Sequence, residues 1–190
     1  MASVVLSGDT SGTITISAPA VSGSNTQTLV ATTGTLAPIV SGTAVTASGT
    51  SVDFTSIPSW VKRITVMFSG VSTSGTSNLQ IQIGSGSVTT SGYSSYAQIF
   101  NGATLTNTGT VTSGYVIWTV AAADSKTGAY SLVLLTGNTW VCTGNASQSS
   151  SQSSQTSGSL ALGGTLDRVR VTTANGTDTF DAGTINILYE

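Results

Sequence analysis

Of 190 residues only 12 carry charge, five Lys or Arg and seven Asp or Glu, while Ser and Thr make up about a third of the chain, Gly occupies 22 positions, Cys one and His none. Charged side chains at 6%, against an ordinary ~25%, leave solubility to hydroxyls, amides and backbone, and a net charge of −2 on scattered residues gives no footprint for nucleic acid, which needs clustered Lys and Arg. The lack of His removes the commonest general base and metal ligand, and one Cys makes neither an intrachain disulfide nor a zinc cluster.

The opening Met1-Ala2-Ser3-Val4-Val5-Leu6-Ser7 has neither a basic stretch nor a long apolar core, which predicts synthesis in the cytoplasm without a secretory signal. Apolar runs elsewhere are far shorter than the ~20 residues of a spanning helix, so no membrane insertion is expected. Residues 1–48 contain one charged side chain, Asp9, and no aromatic residue. Burial contributes ~25 cal/mol per Å² of apolar area and ordering costs ~1.5 kcal/mol per residue, so this segment is not expected to stay folded unless sister copies or a partner complete its core. It reads as an extended β stalk, and residues 49–190 read as a head.

From Ser51 onward all three Trp, four Phe and five Tyr appear, enough for a self-sufficient core. Period-two alternation marks Arg63–Val66, Asn78–Ile83, Arg168–Val171 and Thr184–Tyr189, as it does Thr13–Ser17 in the first segment. Each puts apolar side chains on one face of a strand and polar ones on the other. The runs Gly114–Val120 and Tyr130–Thr136 are apolar on both faces and predict central strands of a sandwich, or strands whose outer face another subunit covers. Gly, Ser, Asn and Thr clusters at Gly70–Ser77, Gly84–Gly92 and Asn101–Gly109 read as turns. The segment Ala146–Gly158, almost all Ser and Gln, offers no apolar anchor and reads as an exposed loop. No helical period occurs, so the fold class is all-β: the stalk segment followed by a jelly-roll antiparallel β-sandwich head.

Candidate sites are few. Trp118, Trp140 and Cys142 lie in strand patterns and read as core, whereas Trp60 reads as a plug at the end of the sandwich. Tyr93 and Tyr96, in Ser91-Gly92-Tyr93-Ser94-Ser95-Tyr96, have the Ser/Gly setting of a binding loop, where a rigid amphipathic ring gives contact area at low entropic cost, and are the receptor-contact candidates. Asp178 and Asp181, the closest acidic pair, read as turn caps. A hydrolase would need two carboxylates flanking a glycosidic bond, and calcium would need six to eight oxygens, so their use for either stays open. No catalytic residue, resident metal or cofactor is predicted. The sequons at Asn145 and Asn175 are matches that a Ser/Thr-rich chain produces by chance.

A resemblance appears in Ser7-Gly8-Asp9-Thr10-Ser11-Gly12, followed by Ser17-Ala18-Pro19-Ala20, Gly23, Asn25-Thr26 and Thr33-Gly34-Thr35. This succession resembles a segment recurrent in tailed-bacteriophage fibres and other virion surface proteins, near the attachment end or shaft of a trimeric fibre. Ser51–Val66, with Ile57-Pro58-Ser59-Trp60 inside it, resembles the opening of a β-sandwich head in such fibres. Together the two stretches cover about 45 residues, and no long repeated shaft follows. The resemblance therefore implies a short tail fibre or capsid fibre.

It implies a homotrimer resident in the virion and docked on other virion proteins through residues 1–48. Its head would meet a host-surface glycan or protein without enzymatic activity. A capsid decoration or cement protein is the first alternative and a polysaccharide-degrading tailspike the second.

Overall fold

The computed structural model describes residues 3–7, 13–17 and 38–190, apart from 103, 123, 149 and 150. Sixteen strands follow in chain order: β1 (Ser3–Ser7), β2 (Thr13–Ser17), β3 (Val40–Ser41), β4 (Val45–Thr46), β5 (Ser51–Thr55), β6 (Arg63–Thr73), β7 (Leu79–Ser85), β8 (Ser87–Val88), β9 (Ser94–Asn101), β10 (Thr104–Asn107), β11 (Tyr115–Ile117), β12 (Lys126–Thr136), β13 (Thr139–Gln148), β14 (Gln152–Ala161), β15 (Arg168–Thr173) and β16 (Phe180–Tyr189). Among the described residues there is no helix, and the all-β expectation holds.

The chain divides into two units, 1–36 and 37–190. In the first, β1 and β2 pair antiparallel with Ser7 opposite Thr13. The expectation that this segment depends on sister copies falls mostly on residues 8–12 and 18–37, outside the described ones. The strands β3 and β4, which composition groups with the stalk, pair with β16 in the second unit.

The second unit is built of two antiparallel sheets. The larger has the order β10-β9-β14-β13-β12-β6-β16-β3, with β4 also on β16, and the smaller runs β11-β7-β15-β5, with β8 on β7. Alternation does the sorting. Ile64, Val66 and Phe68 of β6, Tyr130 and Leu132 of β12 and Ile185 and Ile187 of β16 share one buried cluster with Ile81 and Ile83 of β7, Val169 and Val171 of β15 and Phe54 of β5. Each such side chain contributes ~1.5–3 kcal/mol by leaving water. Edge-on ring pairs, Phe68 with Tyr130 at 5.7 Å and Tyr93 with Tyr115 at 5.0 Å, add directional packing. Trp140 and Cys142 on β13 are core, as expected, and burial pushes the Cys142 thiol up, well above its ordinary pKa.

Two dense apolar runs take different places. Tyr130–Thr136 belongs to β12, in the middle of the large sheet, and its outward Val133 and Leu135 remain exposed, Leu135 at 66%. Gly114–Val120 was expected to be central, yet β11 is only three residues long and stands at the edge of the small sheet. It is buried because two side chains from the large sheet close its free edge. The Val116 N–H donates to Ser95 Oγ at 3.0 Å and the Thr156 hydroxyl donates to the Val116 carbonyl at 2.6 Å. Trp118, just beyond it, is half-buried and outside any strand.

The Ser/Gln stretch is the main correction. Ala146–Gly158 is not an exposed loop: it is the end of β13, a turn at Ser151 with φ +61°, and the first half of β14. β14 is bonded along its length to β13 on one side and β9 on the other. The backbone ladder supplies the partners that apolar side chains do not, and Ser154 and Thr156 point inward and are buried. Part of the turn cluster 101–109 is likewise a strand, β10.

One close approach fixes the crossing of β6 and β16. Gly183 has φ +91°, and a Cβ there would meet the Gly70 carbonyl carbon and Val71 Cα at 2.5 Å. Gly70 itself has φ +65°, and the register shifts beside Gly183, between Ala182 and Thr184. Only residues without a side chain allow the two backbones to meet there.

Candidate functional site

The outward face of the large sheet is set by strand register. Tyr96, Ser157, Thr143, Ser131 and Thr65 stand opposite one another across β9, β14, β13, β12 and β6. The neighbouring row is Asn107, Gln98, Gln155, Asn145, Ala129, Met67 and Asn186, from β10 to β16. With strands ~4.8 Å apart this row is roughly 30 Å long. Neither row contains a charged residue. These two rows therefore offer hydroxyls and amides in a repeating grid without a charge among them.

At the β9–β10 end this face turns apolar. Tyr96 is 46% exposed, and Phe100 and Leu105, cross-strand neighbours, are 44% and 55% exposed. Tyr96 Oη accepts a 2.8 Å hydrogen bond from the Thr110 hydroxyl. β10 is exposed at all four positions and forms the end of the sheet. Phe100 and Leu105 escaped the sequence reading. Their signal was the alternation Tyr96, Gln98, Phe100 on one face of a strand opposite inward Ala97 and Ile99.

Tyr93 does not share this surface. Its side chain is 2% exposed. Tyr93 Oη accepts from the Ile83 N–H at 2.8 Å and donates to the Thr89 carbonyl at 3.0 Å. Burial raises its phenol pKa well above the ordinary value, partly offset by the Ile83 bond. Tyr93 directly precedes β9 and Tyr96 is its third residue, and this odd offset turns the two rings to opposite sides. Tyr93 is a core residue with a satisfied hydroxyl and is unavailable to an external partner.

No family model, curated protein or solved structure matches the chain.

The acidic residues are held by local partners. Asp178 accepts from Asn175 Nδ2 at 2.7 Å and from the Ser77 N–H at 3.1 Å, and Asp181 accepts from the Ser72 hydroxyl. Asp178 thus caps the turn before β16 as expected, whereas Asp181 is not a turn residue: it stands within β16 and bonds across to Ser72 of the neighbouring β6. Among the described residues no group of three His, Cys, Asp or Glu is placed to hold a metal ion. Asp53 pairs with Arg170, Asp167 with Arg168 and Glu190 with Arg63. The guanidinium beside Asp167 holds that carboxyl below the usual carboxylate range. Trp60, 37% exposed, tilts against Tyr189 with ring centroids 5.9 Å apart.

Proposed function

We propose that the chain is a non-enzymatic virion surface protein of the phage-fibre kind that attaches the particle to its host. In this reading three copies join through the residues of the first unit, 1–36, each carries a jelly-roll head, and the large sheet face meets the host surface. Support for the virion part is the likeness of Ser7–Thr35 and Ser51–Val66 to fibre segments. The observation that carries the attachment part is the exposed Tyr96, Phe100 and Leu105 cluster beside an uncharged hydroxyl and amide grid. Aromatic rings on a rigid sheet give contact area with little entropy to lose, and the grid offers hydrogen bonds to a neutral surface polymer. Weak contacts in each head gain by avidity when three act together.

The test is competition with particle adsorption. Purified wild-type protein should block adsorption, and Phe100→Ala and Tyr96→Ala proteins should need at least ~10-fold more to do so. Equal blocking by wild type and both variants would remove the attachment role, and a monomer in sedimentation equilibrium would remove the trimeric fibre. The cement reading draws on exposed Leu135 and Val133 at one end of β12. Particles lacking the chain distinguish the two: failed adsorption with robust capsids favours the fibre, and fragile capsids with normal adsorption favour cement.

A further inference from the structure

The outward face of the small sheet carries a second, different surface. Register aligns Asp53, Arg170 and Gln82 in one row and Ser51, Thr172 and Gln80 in the next. Together with Ser113, Thr90 and Ala174–Gly176 these rows, Asp53 apart, line an open cleft of about 390 Å³, within the range of small-molecule sites.

Its floor is prearranged. Gln80 and Gln82 are 3% and 4% exposed although they point away from the core. Gln82 Nε2 donates to the Ser113 carbonyl at 2.8 Å, and the Ser113 hydroxyl donates to Gln80 Oε1 at 2.9 Å. These bonds fix both amides and leave Gln82 Oε1 as an acceptor. The Thr172 hydroxyl donates to the Thr50 carbonyl at 2.8 Å, which leaves its oxygen free to accept as well.

Among the described residues the one charged side chain lining the cleft is that of Arg170, and Asp53 already holds it through two 2.7 Å bonds. An anion entering the cleft would therefore meet a neutralised guanidinium with a carboxylate beside it. An apolar ligand would cover Gln82 Oε1 without giving it a donor, at a cost of ~1–3 kcal/mol. A neutral polyhydroxylated ring suffers neither penalty, because its hydroxyls both donate and accept.

We propose that this cleft binds one neutral sugar unit, free or at the end of a saccharide. The site lies on the other sheet from Tyr96 and Phe100 and stands whether or not the chain is a fibre. Among the described residues no aromatic ring lines it, so a dissociation constant of about 1 mM or weaker is expected.

The test is a titration of the full chain, with the side-chain amide signals of Gln80 and Gln82 followed by NMR. The probes are glucose, galactose, mannose and N-acetylglucosamine, set against glucuronic acid and inorganic phosphate. At least one neutral sugar should move both amide signals in a saturable way, and the charged probes should bind at least ~10-fold more weakly. Thr90→Trp, at an exposed rim position, should block the cleft without touching its floor and lower the affinity at least ~10-fold. Gln82→Leu should do the same if it folds, and Phe100→Ala should leave binding unchanged. The proposal is overturned if no neutral sugar moves these signals up to ~50 mM, if phosphate or glucuronic acid binds as tightly, or if Thr90→Trp binds as wild type.

Discussion

The Thr156 hydroxyl donates a 2.6 Å hydrogen bond to the Val116 carbonyl, so a side chain from the Ser/Gln-rich strand of one sheet closes the free edge of the other. Both groups are buried, and a buried carbonyl without a partner costs ~1–3 kcal/mol. Thr156→Val preserves shape and removes the donor, and should lower the urea-unfolding free energy by about that amount. Thr156→Ser keeps the hydroxyl and should recover most of it. A loss in Thr156→Ser with none in Thr156→Val would mean that the methyl group, not the bond, matters.

The Gly183 and Gly70 approach predicts a steep penalty. Gly183→Ala meets backbone at 2.5 Å with φ +91° and should cost about 2–4 kcal/mol in thermal or denaturant unfolding. Gly137 also has a positive φ, +54°, but open space around it, so Gly137→Ala should cost only the conformational strain, about 1–2 kcal/mol. Equal costs at the two positions would show that the backbones separate freely.

Lys126 predicts a pH dependence. It is buried, its ammonium 3.4 Å from Gln148 Oε1, and burial lowers its pKa from 10.5 to about 8, against the opposing pull of Asp124. Below pH 8 both folded and unfolded chains hold the proton, and the fold bears the whole cost of a buried cation. Between about 8 and 10.5 the unfolded chain binds more protons than the native one, so stability rises with pH. Cys142 and the buried tyrosines act in the opposite sense above about pH 9, because their raised pKa values favour the native chain's protons. The difference between wild type and Lys126→Met cancels those contributions. That difference should shift toward wild type across pH 8–10, and a flat difference would contradict the burial of the cation.

Two tyrosines three residues apart should behave oppositely. Tyr93→Phe removes the partner of the Ile83 N–H and should cost ~1–3 kcal/mol of stability with adsorption unchanged per folded molecule. Tyr96→Ala, at an exposed position, should change stability by no more than ~0.5 kcal/mol while weakening adsorption.

These tyrosines also mark how far the sequence can be read. The all-β class and most core positions follow from alternation, because Ile64, Val66, Ile81, Ile83, Val169 and Val171 are apolar residues at period two. Which of Tyr93 and Tyr96 faces inward depends on the register with which β9, starting at Ser94, enters the sheet, and a shift of one residue exchanges core for surface. The β14 strand was illegible for another reason. A Ser/Gln run offers no apolar pattern, and its order comes from ladders to β13 and β9 and from inward hydroxyls such as Thr156, which are properties of the neighbours. The cleft on the small sheet was equally hidden: Gln80 and Gln82 look like the wet side of an ordinary strand until Ser113 folds over them.

The sealed thiol of Cys142 turns the chain into its own clock. Lying on a central strand with its proton held by burial, it is shielded from alkylating reagents as long as the two sheets stay together, and each labelled molecule records one excursion that separated them. Because there is no second cysteine, the labelling rate reports how often the whole body comes apart and what a bound sugar or a neighbouring copy does to that frequency.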